Sequence, residues 1–141
     1  MKRIHLSPND HFTIEGRSQA VGTKPTGLWY GIDNSWQEWA AERLPWIYDH
    51  SFELELDLSR MLIISNEQDF RKFHSQYKTI LYSVTEVIDW PKVALEYGGI
   101  EINPYLPSLT SEYIWYYGWD VASGCVWDMP NIKINKGDKK C

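Results

Sequence analysis

The aromatic residues limit the possible folds of this sequence more than any other feature. They make up 15% of its 141 residues, and eight of them are tryptophans. A chain of this length forms one domain with a core of modest size, so several tryptophans must either pack in that core or line a cavity. The hydrophobic and charged fractions, 43% and 23%, are those of an ordinary globular protein and exclude a disordered, collagen-like or low-complexity chain.

Charge is unevenly distributed along the chain. The formal net charge is −5, although segment 131–141 contains four lysines and only one aspartate. We therefore predict a globular, acidic domain over residues 1–130 and a basic, flexible tail over residues 131–141. An acidic domain repels phosphate backbones, which argues against binding to duplex nucleic acid.

Cysteine content and hydropathy predict a cytoplasmic protein in a reducing compartment. The two cysteines, Cys125 and Cys141, do not form a disulfide framework. The basic first residues are not followed by the apolar stretch of a secretory signal, and the longest aliphatic run, 61–64, is far shorter than the roughly 20 residues of a membrane span. The four histidines lack the spacing of metal ligands, so we predict no metal.

Cap residues and helical spacing predict three short helices. Their expected first residues are Ser35, Ser65 or Asn66, and Asp89. Ser35 and Glu38 match a capping box, and Trp36 and Trp39 then fall on one helical face. We expect both tryptophans to pack in the core.

Strand patterns occupy much of the remaining sequence. Apolar residues alternate with acidic ones over 52–58, and further strands are predicted at 28–30, 61–64, 100–102 and 113–117. Helices and strands follow one another without a regular βαβ rhythm. We therefore predict the α+β class, with one domain built on a mainly antiparallel, twisted sheet and about three short helices.

Glu101 is the first candidate site residue, because it stands on a predicted strand between two isoleucines. Its side chain either faces solvent or lies beneath aromatic rings, where its protonation and hydrogen bonding would be perturbed. Asp120 is either a second site carboxylate or a turn former. Trp29 and Tyr30 either pack in the core or line a cavity, where their rings would stack on a base, a nicotinamide or a sugar.

The order of three short motifs resembles that of the ADP-ribosyltransferase superfamily. The family has a histidine or arginine on an early strand, matched here by His11 or Arg17. Its Gly-Leu-aromatic-aromatic strand, followed at once by a helix, is matched by residues 27–30, and its late-strand glutamate is matched by Glu101. Gly31 departs from the family, since many members have serine or threonine there.

The resemblance implies that the protein uses NAD, as a transferase or as an NAD glycohydrolase. Glu101 would accept a hydrogen bond from the nicotinamide ribose and stabilise the oxocarbenium-like transition state. Trp29 or Tyr30 would stack on the nicotinamide. His11 or Arg17 would hold the adenosine half of NAD.

Two other functions are consistent with the same residues. One is a binding module that sequesters a nucleotide-like or sugar-like ligand in an aromatic pocket without turnover. The other is an interaction domain that meets a partner such as a host protein. Segments 24–30 and 119–127 also resemble those of small proteins encoded by viruses and phages, a resemblance that implies no activity.

Overall fold

A computed structural model describes residues 1–7, 18–43, 50–128 and 132–136. The three α-helices in this part of the chain are α1 (Ser35–Arg43), α2 (Glu67–Tyr77) and α3 (Trp90–Ala94). The strands are β1 (Arg3–Ser7), β2 (Leu28–Ile32), β3 (His50–Glu55), β4 (Met61–Ile64), β5 (Lys78–Leu81), β6 (Thr85–Ile88), β7 (Gly99–Ile102), β8 (Ser123–Val126) and β9 (Lys133–Lys136). The α+β prediction is confirmed.

Seven of these strands form the main sheet, in the order β4-β7-β8-β2-β1-β3-β9. Every neighbouring pair is antiparallel except β4 and β7, which are parallel. Met61 on the edge strand β4 packs in one hydrophobic cluster with Leu54 on β3 and with Ile134 on β9, the strand at the other edge. The sheet therefore curls until its two edges approach each other. Strands β5 and β6 form a separate two-stranded sheet.

The pleat of the sheet divides its side chains between two faces. Tyr30 and Glu101 both pair in register with Gly124, so they lie on the same face, which we call the inner face. Trp29 and Ile100 both pair with Cys125 and lie on the opposite, outer face. Successive residues along these strands therefore pack in different hydrophobic clusters.

The outer face is covered by the aromatic core that the composition predicts. Helices α2 and α3 and segment 103–119 pack their rings against it. Phe70 and Trp115 stack with centroids 4.8 Å apart and planes 8° from parallel, and Trp90 is fully buried beside them. Aromatic area thus supplies much of the apolar burial that a domain of this size needs.

The predicted starts of α2 and α3 are confirmed by their caps. The side chain of Asn66 accepts a hydrogen bond from the Asp69 amide at 2.8 Å, and Asp89 accepts one from the Lys92 amide. In α1 the Ser35 hydroxyl is engaged elsewhere, because it donates to the Ala122 carbonyl at 3.0 Å. This contact ties α1 to the segment that precedes β8.

Three strand predictions need correction. Segment 113–117 is not a strand but contains a 3-10 helix (Ile114–Tyr116). A strand would send the neighbours Trp115 and Tyr116 to opposite faces, whereas both pack in the same aromatic core. The predicted strand at 52–58 begins at 50 and ends at 55, and Leu58 starts another 3-10 helix (Leu58–Arg60). The apolar run 61–64 is a strand, as predicted, but it lies at the edge of the sheet and is not fully covered, since Ile63 is 39% exposed.

Strand β9 lies inside the segment predicted to be the basic tail. Lys133 pairs in register with Glu55 on β3, and Ile134 pairs with Leu54. Opposite charges across the strands and an apolar contact both favour this pairing. The main sheet therefore extends past residue 130. Among the described residues, no helix combines the length and the apolar character that a bilayer crossing requires.

Candidate functional site

A cavity of about 310 Å3 opens on the outer side of the sheet, and we call it the tryptophan cavity. Strand β2, helix α1 and the turn before β8 form its walls. Its lining residues are Lys24, Trp29, Trp36, Trp39, Gly118, Trp119, Asp120, Val121 and Ser123. Four of the eight tryptophans of the chain therefore face one space.

Gly31 allows α1 to approach the sheet closely enough to form this cavity. A β-carbon at position 31 would lie only 2.6 Å from the Trp36 β-carbon, a separation that real structures do not tolerate. A serine or threonine at this position would therefore collide with Trp36. The close approach sets the two tryptophans of α1 at the rim of the cavity.

The four indoles come from three elements. Trp29 and Trp119 meet edge to face, with centroids 5.0 Å apart and planes at 70°. Trp36 and Trp39 are half-buried and pack against Ile4 and Leu6 of β1 on their other side. The prediction that these two tryptophans pack in the core is therefore incomplete, because the same rings also line the cavity.

Side chains of both charges line the cavity beside the rings. The Lys24 Nζ atom lies 5.5 Å from the centroid of the Trp29 ring, a cation–π arrangement. Gly118 leaves room for this lysine, since a β-carbon there would lie 2.8 Å from its Cε atom. Asp120 is exposed, and the indole Nε1 of Trp119 is buried with no hydrogen-bond acceptor in the described part of the chain.

A second, more open hollow of about 450 Å3 adjoins the tryptophan cavity and shares Trp39 and Asp120 with it. Glu38 and Tyr105 also line this hollow. Burial, with the Asp120 charge as a smaller cause, raises the pKa of Tyr105. The combined groove is therefore cationic at Lys24 and acidic at its other end.

Glu101 is buried on the inner face and lies in neither hollow. Its side chain is 2% exposed and forms an ion pair with Arg3, from Nε to Oε1 at 2.6 Å and from Nη2 to Oε2 at 3.3 Å. The Tyr30 hydroxyl donates to the same Oε1 at 2.8 Å. Burial, followed by the Glu101 charge, raises the pKa of Tyr30 well above its ordinary value.

The structure brings together only some of the predicted site residues. Glu101 contacts Tyr30, whereas Trp29 and Asp120 line the cavity on the other side of the sheet. His11 and Arg17 lie outside the described residues.

The sequence analysis missed Arg3, because no local pattern links it to a partner 98 residues along the chain. It also missed Lys24. Proximity to an aromatic strand is the only signal that Lys24 carries in the sequence. Among the described residues, no group of three or more His, Cys, Asp and Glu side chains is arranged to hold a metal ion.

Comparison of the chain with protein-family models, with the curated proteins and with the solved structures finds no match. The resemblance to ADP-ribosyltransferases therefore stays a prediction that depends on the short motifs alone.

Proposed function

We propose that the protein is a binding module that holds a small nucleotide-like or sugar-like ligand in the tryptophan cavity. One observation carries the proposal: four indoles from three separate elements line a single cavity of about 310 Å3. Tryptophan faces that remain open to a cavity offer stacking surfaces to a base or to the apolar face of a sugar.

The size of the cavity limits the ligand. Small-molecule sites range from roughly 300 to 1,000 Å3, so the tryptophan cavity accommodates one ring system with its substituents. A mononucleotide or a monosaccharide derivative is of this size, whereas NAD would place only one of its halves inside.

The expected affinity is modest. A ligand of about 20 non-hydrogen atoms that gains about 0.3 kcal/mol per atom binds with about 6 kcal/mol, a Kd of tens of micromolar. Polar partners are available for such a ligand, because Lys24 supplies a cation and Asp120 supplies an acceptor for hydroxyl or amino groups.

The test is a titration with AMP, nicotinamide mononucleotide and glucose 6-phosphate, in which tryptophan fluorescence and thermal shift report binding. Trp39→Leu should weaken binding at least fivefold, since it removes one stacking surface. Tyr82→Asn is the control, because Tyr82 is 86% exposed and outside the cavity, and asparagine tolerates its positive φ of 54°. Absence of binding by all three ligands, or equal binding by the Trp39 variant, would contradict the proposal.

ADP-ribosyl transfer is the second candidate function. The contact that favours it joins Tyr30 to Glu101 at 2.8 Å, since both residues belong to the motifs of the resemblance. In this mechanism Glu101 would exchange Arg3 for the ribose hydroxyl and stabilise the positive charge as nicotinamide leaves.

The two candidates depend on different residues. Incubation with NAD and measurement of free nicotinamide tests the enzymatic one. Turnover that Glu101→Gln abolishes at a temperature where circular dichroism shows the variant to be folded would support it. Equal turnover by that variant and the wild type would remove Glu101 from the mechanism.

A further inference from the structure

We infer that the ligand of the tryptophan cavity is a phosphate monoester whose anionic group pairs with Lys24, a conclusion that rests on the binding function proposed above. The class includes nucleoside monophosphates and sugar phosphates. The inference depends on the charge and hydrogen-bonding groups of the cavity wall.

The first observation concerns the charge of Lys24. Its ammonium group lies over the Trp29 ring, and none of the ion pairs between described residues includes it. A lysine at a cavity wall without a carboxylate partner can accept an anion from a ligand. The end of this lysine packs against Gly118, where a β-carbon would lie 2.8 Å from its Cε atom.

The second observation concerns Trp119. This residue is 2% exposed, and its Nε1–H group has no acceptor among the described residues although the ring lines the cavity. A buried donor without an acceptor is costly. The ring of Trp119 thus forms part of the cavity wall, and the exposed Lys24 ammonium is a charged donor that a ligand in the cavity can reach.

These observations favour an anion over a cation. A quaternary ammonium ligand also binds between aromatic rings, but here the Lys24 ammonium already occupies the Trp29 face and would repel it. Asp120 is exposed at the rim and shared with the adjoining hollow, where it can accept a hydrogen bond from a ribose or sugar hydroxyl. A ring with hydroxyl groups and one phosphate pairs with both Lys24 and Asp120.

Isothermal titration calorimetry with two matched pairs, AMP with adenosine and glucose 6-phosphate with glucose, tests the inference. Wild-type protein should bind the phosphorylated member of at least one pair about tenfold more tightly in low salt. Lys24→Met should abolish that advantage and leave the affinity for the unphosphorylated member unchanged. Lys92→Met is the matched control, since the Lys92 Nζ atom also lies over an aromatic ring, 5.7 Å from the centroid of Tyr77.

The outcomes separate this inference from the proposed function. Equal affinity for both members of each pair, or an advantage that survives Lys24→Met, would overturn the role of Lys24 while the binding function stands. Failure of all four compounds to bind would overturn both. Choline binding that is tighter in Lys24→Met than in wild type would show that Lys24 occupies a cation site, and would also overturn the inference.

Discussion

The ion pair between Arg3 and Glu101 should contribute strongly to folding, and a double-mutant cycle can measure its contribution. Glu101 is 2% exposed and Arg3 is 12% exposed, so both charges have lost most of their water. Two hydrogen bonds, at 2.6 and 3.3 Å, join the guanidinium to both carboxylate oxygens. Replacing one partner leaves the other charge buried without compensation.

The magnitude follows from this burial. Removing one partner of a buried pair costs about 3–5 kcal/mol, and the small remaining exposure of Arg3 favours the lower end of that range. We expect Glu101→Gln to lower the free energy of unfolding by about 3 kcal/mol and Tm by about 10 °C. Arg3→Met should cost about as much. The double variant should cost about 3 kcal/mol instead of about 6, because it removes both charges together.

Urea unfolding of the four proteins at pH 7, followed by tryptophan fluorescence, measures these values. Arg60→Met is the control, because it breaks the exposed pair of Arg60 with Asp128 and should cost less than about 1 kcal/mol. If the two single effects add in the double variant, the charges do not interact and the reasoning from burial is refuted.

Three further predictions concern packing, capping and pH. Gly31→Ala should destabilise the fold by about 1–3 kcal/mol in urea unfolding, because its β-carbon would collide with Trp36; an unchanged midpoint would show that α1 can move away. Asn66→Ala should cost about 1 kcal/mol through loss of the α2 cap, whereas Asn66→Ser should retain most of it, and equal losses would contradict a capping role. Burial lowers the pKa of His74, whose Nδ1 accepts a hydrogen bond from Trp115 at 3.1 Å. The unfolded chain therefore binds more protons than the folded one, and the free energy of unfolding should fall as pH drops through 6.5. Urea titrations at pH 7.5 and 5.5 should show a smaller fall for His74→Asn than for the wild type.

Features that depend on neighbours a few residues apart are predictable from this sequence. The alternation over 52–54 marks a half-buried strand, because side chains on a strand alternate between faces whatever the partner strand is. Asn66 and Asp89 cap helices because their side chains reach an amide only three residues away. The α+β class follows from the same local patterns.

The candidate site, in contrast, depends on strand order. Glu101 stands between two isoleucines in the sequence, which left open whether it faces solvent or aromatic rings, and its partner Arg3 lies 98 residues away. Only the arrangement β7-β8-β2-β1 brings these two residues and Tyr30 to one face of the sheet. The same sheet sends Trp29, the neighbour of Tyr30, to the opposite face.

The tryptophan cavity could not be predicted from local sequence patterns either. Helical spacing shows that Trp36 and Trp39 share a face of α1, but that face meets β1 on one side and the turn with Trp119 on the other. Whether a ring is covered by protein or left at a cavity depends on how closely distant segments approach, which here depends on the missing side chain of Gly31. Composition therefore determined that aromatic rings would dominate the interior, and long-range packing decided which of them remained open to a ligand.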